Sequence, residues 1–298
     1  MGITLALLCM VCFASNIVLS RYAVARMAVD IGFLIVLTVN IAVALILCLA
    51  DLAVRSTPFE WHWSEAACYG LSGVLGSYLG RQMMYDTVRL LGPARASVFH
   101  SSAPAIALVG AWLLLGETLD AVEMALTCLV LFGLWFTQAP ARGGRSEHRP
   151  TAESLRRGML IGLLTVSGFG MSNVLRGLGM RGWEEPIFGT LIACSAAMLL
   201  QAVTTPSLAG AWKQIRASER RGIQLYALSG VLSVGGAILL TASMAHMKVA
   251  LAALVSHTTP LLIFPLSVLV FGNREGLTPR TAVGALMVLA GIAMLALH

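Results

Sequence analysis

Leu71–Leu75 reads LSGVL, and LSGVL returns at Leu228–Leu232, 157 residues later. In a chain rich in Leu and Gly, one such identity carries little weight. Four further pairs fall on nearly the same offset: Ser15-Asn16 with Ser172-Asn173, Pro104 with Pro260, Gly116 with Gly272, and Gly133 with Gly291. Five collinear matches at offsets of 156 to 158 indicate an internal duplication. Duplicated apolar chains are often carriers, with the substrate site between two related halves.

Composition fixes the solvent. Hydrophobic residues make up 58% of the chain and charged ones 11%, against roughly 45–50% and about 25% in soluble domains. Mean hydropathy is +0.84, more apolar surface than water-soluble packing hides, so the chain is expected in a lipid bilayer. A net charge of +6 and a pI near 9.3 would suit nucleic acid, but the Lys and Arg residues sit in short connections between apolar runs, with no basic domain to hold them. They are expected to orient the chain in a membrane, and no nucleic-acid partner is expected. The six cysteines (Cys9, Cys12, Cys48, Cys68, Cys128 and Cys194) all lie inside apolar runs. There they act as small hydrophobes, so neither a disulfide frame, a metal site nor a cofactor is indicated. The first run, Ile3–Ser20, lacks a basic leader and a small-x-small cleavage site, and it belongs to the repeat. It reads as a retained helix and not as a signal peptide.

A spanning helix needs about 20 mostly apolar residues. The candidate runs are Ile3–Ser20, Ile31–Ala53, Ala66–Leu90, Arg95–Leu115 and Ala121–Gln138, then Gly158–Leu175, Pro186–Thr204, Ile223–His246, Val249–Phe271 and Thr281–Leu297. The expected fold is an all-α integral membrane protein: ten transmembrane helices in two inverted five-helix repeats around a central cavity. Residues 1–138 form the first repeat, 139–157 a linker carrying five arginines, and 158–298 the second repeat. Five crossings per half is an odd number, so the second half enters from the opposite side. Connections after the odd-numbered runs hold 15 Lys and Arg residues; the others hold four, Arg55, Arg176, Arg181 and Lys248. The positive-inside rule therefore places the linker in the cytoplasm and both termini outside.

The third run carries polar residues that hydrocarbon does not tolerate. Tyr78, Arg81, Gln82, Tyr85 and Arg89 fall at helical spacing on one face. A central Arg facing lipid costs at least about 2.5–3.5 kcal/mol. The stripe should therefore face a wet cavity, with Arg81 offering a fork to a carboxylate, or else Arg81 pairs with Asp86 or backbone carbonyls, or snorkels. Phe99-His100-Ser101-Ser102 precedes Pro104 in the fourth run, and Ser256-His257-Thr258-Thr259 precedes Pro260 in the ninth. Proline in a spanning helix frees carbonyls that hydroxyls, water or a ligand can satisfy. Matching polar clusters at matching prolines suggest two bent helices on a shared path; kinks that serve packing alone remain the other reading. Ser15-Asn16 and Ser172-Asn173 are read equally well as interhelical hydrogen bonds. No Asp or Glu lies near the middle of any run, which disfavours a proton-driven pump for cationic drugs.

The order of these elements resembles a known family. Ala96-Ser97 and Pro104 open the fourth run and Leu115-Gly116-Glu117 closes it; Ala252-Ala253, Pro260 and Phe271-Gly272-Asn273 repeat the pattern with Asn273 in place of the acid. Across essentially the whole chain this resembles the drug/metabolite transporter superfamily in its EamA-type branch, and within it the YddG-like amino-acid exporters. The resemblance implies a bacterial inner-membrane exporter of amino acids, apolar or aromatic ones first, or of similar small metabolites. It would work by facilitative alternating access without ATP. Partners expected are a small-molecule substrate and the lipid bilayer, with a monomer as one possible state. The resemblance also implies cytoplasmic termini, opposite to the charge count. With a carboxylate substrate, Arg81 and Gln82 with Tyr78, Tyr85 and Phe99 are expected to meet it, along with Ser102, His257 and Thr258, while Pro104 and Pro260 act as hinges. A multidrug exporter of organic cations and an intramembrane enzyme using His100 or His257 are the alternatives.

Overall fold

In an apolar solvent the backbone has no hydrogen-bond partner but itself. The computed structural model describes residues 1–56, 58–138, 152–205, 207–263 and 279–297, and among them it holds helices and no strand. α1 (Gly2–Val24) and α2 (Val29–Val54) are joined by a short turn. The third run is one rod made of α3 (Trp63–Ser72), a π-helical stretch (Gly73–Gly80) and α4 (Arg81–Leu91). The fourth is broken into α5 (Pro93–Ser101) and α6 (Ala103–Leu115), and α7 (Ala121–Gln138) follows. The second half comprises α8 (Ala152–Gly182), α9 (Pro186–Thr204), α10 (Leu208–Ala217), α11 (Arg220–Ser243), α12 (Val249–Ser256) and α13 (Pro279–Leu297).

Among the described residues, seven helices are long and apolar enough to cross a membrane: Gly2–Val24, Val29–Val54, Arg95–Leu115, Glu153–Gly182, Pro186–Thr204, Arg220–Ser243 and Arg280–Leu297. Ala121–Thr137 and Val249–Ile263 are shorter apolar helices. The third run is not among the seven; it is interrupted by the π stretch and carries Arg81, Asp86 and Arg89. The part of the ninth run after Ile263, with Gly272 and Asn273, lies outside the described residues, as do 139–151 of the linker.

α8 departs most from expectation. It begins at Ala152, inside the expected linker, and runs on to Gly182 instead of stopping at Leu175. Its glycine-rich end resembles a terminator but is a packing surface. A Cβ on Gly177 would lie 2.3 Å from Val249, one on Gly179 2.9 Å from Tyr69, and one on Gly182 2.4 Å from Glu65. Arg176 is therefore a residue of the helix interior and not of a connection.

The packing exchanges the two halves. α1 lies on α11, and its repeat counterpart α8 lies on the α3–α4 rod; α2 also lies on α11, and α9 on the same rod. α12 packs on α1 as α6 packs on α8, while α2 meets α9 and α7 meets α13. This pattern is that of an approximate two-fold axis between the repeats. Small residues bring the backbones together. A Cβ on Gly73 would stand 2.0 Å from the Ala193 carbonyl oxygen, and one on Gly76 2.4 Å from Ser172 Oγ.

Candidate functional site

The stretch that exposes the duplication also leads to the site. Gly76 and Ser233 directly follow the two LSGVL copies, and both line a cavity of about 250 Å³ between the repeats. Three more pairs at the 157-residue offset line it: Asn16 with Asn173, Leu37 with Cys194, and His100 with His257.

Two broken helices deliver the histidines. α5 ends at Ser101 and α6 starts two residues later, just before Pro104. α12 ends at Ser256, and the chain turns through 257–259 before Pro260. The rings of His100 and His257 face each other with centroids 5.4 Å apart. His257 Nδ1 lies 2.9 Å from the Ala253 carbonyl oxygen, which assigns the ring proton to Nδ1 and leaves Nε2 as the acceptor of the neutral ring. His100 meets Phe169 edge-on at 5.0 Å, and its buried Nδ1 has no partner among the described residues.

Two guanidinium groups share the same space. Arg81, on α4, lies over the Phe33 ring at 4.5 Å and not against Asp86. Arg176, on α8, is buried, and its Nη1 donates to Thr241 Oγ1 at 3.3 Å. The titratable groups that reach Arg176 are two thiols and a phenol, Cys194, Cys9 and Tyr69. Among the described residues no carboxylate lines the cavity. Hydrogen-bond donors complete the wall. Asn16 accepts at Oδ1 from Ser229 and, at 3.4 Å, from Ser20. Ser77, Asn173 and Thr259 add further polar atoms.

Of the residues expected to meet a substrate, the structure brings Arg81 and His257 into the cavity wall and places six elsewhere. Tyr78 packs with Phe33, Leu37 and Ala197 and donates to Thr204 Oγ1 at 2.8 Å. Gln82 donates to Gln201 Oε1 at 3.3 Å. Tyr85 does not line the cavity; it lies toward Tyr226. Phe99 packs where Gly162 leaves room for its ring. Ser102 is exposed on the outer side of the break and bonds back to the Val98 carbonyl oxygen at 3.1 Å. Thr258 is fully buried and points to Met10 Sδ at 3.0 Å. From Tyr78 to Arg89 the stripe covers twelve residues, about 16 Å at 1.5 Å per step, and only its Arg81 edge meets the cavity. Asn16, Ser172 and Asn173 line it, although sequence alone leaves them as ordinary interhelical bonds.

One end of the bundle is shut. Toward the end where α1 begins, Cys9, Tyr69, Met180, Trp183, Met244, Val249 and Ala250 fill the space below the cavity. Phe59, Trp61, Trp183 and Phe188 cover them. Three cations at this end are paired: Arg55 with Glu185 and with Asp51 at 2.6 Å, Arg181 with Glu117 at 3.0 Å, and Lys248 with Glu123. The hydrogen bond to Glu185 holds the Arg55 guanidinium above its usual pKa.

A multi-helix membrane chain of two repeats, exchanged across a polar cavity between broken helices, defines a transporter of small molecules. The EamA-like transporter family matches twice, over residues 1–138 and 156–297, and the chain belongs to that family. A solved structure described only as "Crystal structure of protein" is similar in fold. The two share 17% identity and a TM-score of 0.72, over 99% of this chain and 96% of the other. No curated protein matches the chain.

Proposed function

We propose that this chain exports amino acids or similar small carboxylates across the bacterial inner membrane by facilitative alternating access. It would do so with ten crossings in two oppositely inserted sets of five. The reading is carried by Arg81, whose guanidinium enters the cavity between the repeats without an acidic partner there. A half-buried cation in a cavity that no carboxylate lines among the described residues is a place for the substrate's own. A cavity of about 250 Å³ falls below the roughly 300–1,000 Å³ of drug-sized pockets and suits a small metabolite better than a bulky drug, and an organic cation would find no acid to meet. The apolar and aromatic preference has less support, since Tyr78, Tyr85 and Phe99 lie behind the wall and only Phe13 and Phe169 add benzene rings to it. An intramembrane enzyme is disfavoured. Ser256 Oγ donates to the Ala253 carbonyl at 2.8 Å, and the His257 nitrogen beside it is held by the same carbonyl.

With Arg176 inside α8, this end holds three cations, Arg55, Lys248 and, in the last turn of α8, Arg181, all paired with acids. This keeps the charge balance in favour of placing that end outside. On this reading that end would be the exterior one and closed, with Pro104 and Pro260 as the hinges about which the path opens. Counterflow tests the function. Reconstituted vesicles preloaded with unlabelled amino acids should accumulate the labelled one irrespective of a pH gradient. Folded protein that exchanges no small carboxylate would overturn the reading.

A further inference from the structure

The cavity holds more positive charge than one carboxylate can balance. Arg81 comes from the first repeat and Arg176 from the second, and both line the same small space beside Cys194. Among the described residues Arg176 has only the Thr241 hydroxyl as a hydrogen-bond partner, and Arg81 lies over the face of Phe33. His100 adds a buried nitrogen without a partner among the described residues. A substrate with a single carboxylate would meet only one of the two guanidinium groups and leave the other uncompensated at membrane depth.

We infer that the cavity is built for a substrate bearing two negative charges, a dicarboxylate or a phosphate monoester, bridging Arg81 of the first repeat and Arg176 of the second. The inference rests on the reading of this cavity as the transport site. Its chemistry is that of paired forks: each guanidinium offers two parallel N–H donors to one anionic group. The amide nitrogen of Asn16 and the hydroxyls of Ser77 and Thr259 supply the remaining donors. Because the two arginines belong to different repeats, a dianion held between them ties together two bodies that must move apart, and release follows once they separate. The arginines are not counterparts in the duplication, since Ile238 and Leu19 occupy the matching positions. The two ends of the substrate are thus held by different surroundings, Phe33 behind one fork and Thr241 behind the other.

The experiment is counterflow with four labelled probes at pH 7: succinate and glycerol 3-phosphate as dianions, lactate as monoanion and leucine as zwitterion. At least one dianion should exchange faster than lactate and leucine by about tenfold or more, the worth of one charged hydrogen-bonding partner; which dianion does so separates carboxylate from phosphate. Arg176→Gln and Arg81→Gln should each lower that exchange by a similar factor. Arg176→Lys, which keeps the charge, should recover part of it. Each variant is accepted only as a monodisperse peak in detergent. Exchange of leucine or lactate above both dianions overturns the inference and leaves the carrier reading standing. Absence of exchange with every probe and every amino acid overturns both.

Discussion

Removing the Glu117 carboxylate separates two roles that the residue combines. Gly116 ends α6 in the left-handed conformation at φ 65°, which glycine adopts without steric cost, and the Glu117 N–H bonds back to the Ala111 carbonyl at 3.2 Å. That turn sends the Glu117 side chain across the bundle, where it is 7% exposed. There it accepts from the backbone N–H groups of Val249 and Ala250 at 3.0 and 3.3 Å, and from Arg181 at 3.0 Å. α12 has no side-chain cap of its own, so Glu117 from the other repeat serves as one. Glu117→Ala leaves two N–H groups orphaned at positions 1% and 4% exposed; at about 1–3 kcal/mol per unsatisfied group, the loss should be about 3 kcal/mol. Arg181 is 49% exposed, so Arg181→Ala should cost under about 1 kcal/mol. Glu117→Gln, which keeps one good acceptor, should fall between. The assay is detergent-induced unfolding in mixed micelles followed by circular dichroism. If Arg181→Ala is as costly as Glu117→Ala, the ion pair and not the cap is what matters, and the reasoning fails.

Gly73→Ala forces a Cβ to within 2.0 Å of the Ala193 carbonyl and should destabilise by about 3 kcal/mol, the upper end for overpacking. Gly235→Ala meets nothing within 4 Å and should be neutral or stabilise by about 0.5–1 kcal/mol; the same unfolding titration checks both. Tyr78→Phe loses one hydrogen bond to Thr204, about 1 kcal/mol of stability, and should leave vesicle exchange unchanged because Tyr78 does not line the cavity. Arg81→Ala should abolish exchange while the protein still elutes as a folded, monodisperse species.

The duplication was legible because its matches are punctuation: prolines at helix breaks and glycines at close approaches keep their places where the apolar filler drifts. The broken helices at Pro104 and Pro260 were legible for the same reason, since proline withdraws a backbone donor wherever it stands. The site was half legible. A helical stripe reports which face is polar but not how much of its length meets a cavity, so Arg81, which lines it, came together with Tyr78 and Gln82, which bond to α9, and Tyr85, which lies outside the lining. Arg176 was missed because Gly177, Gly179 and Gly182 resemble a helix end. They are instead the contact surface for Val249, Tyr69 and Glu65, residues far away in sequence. The role of Glu117 depends on α12 of the other repeat, so local patterning cannot reveal it. Its place in the Leu-Gly-Glu sequence after α6 was the one visible hint.

Cys194 offers the most direct test of the central claim that the cavity between the repeats is the transport path. It is native, lines the cavity and lies in reach of both guanidinium groups. Vesicles showing exchange are treated with an anionic methanethiosulfonate, and exchange is measured again for the wild type and for Cys194→Ser. The account predicts that the reagent stops exchange in the wild type, faster than its cationic analogue does, and spares Cys194→Ser. Equal inhibition of both proteins, or inhibition of neither, would contradict it.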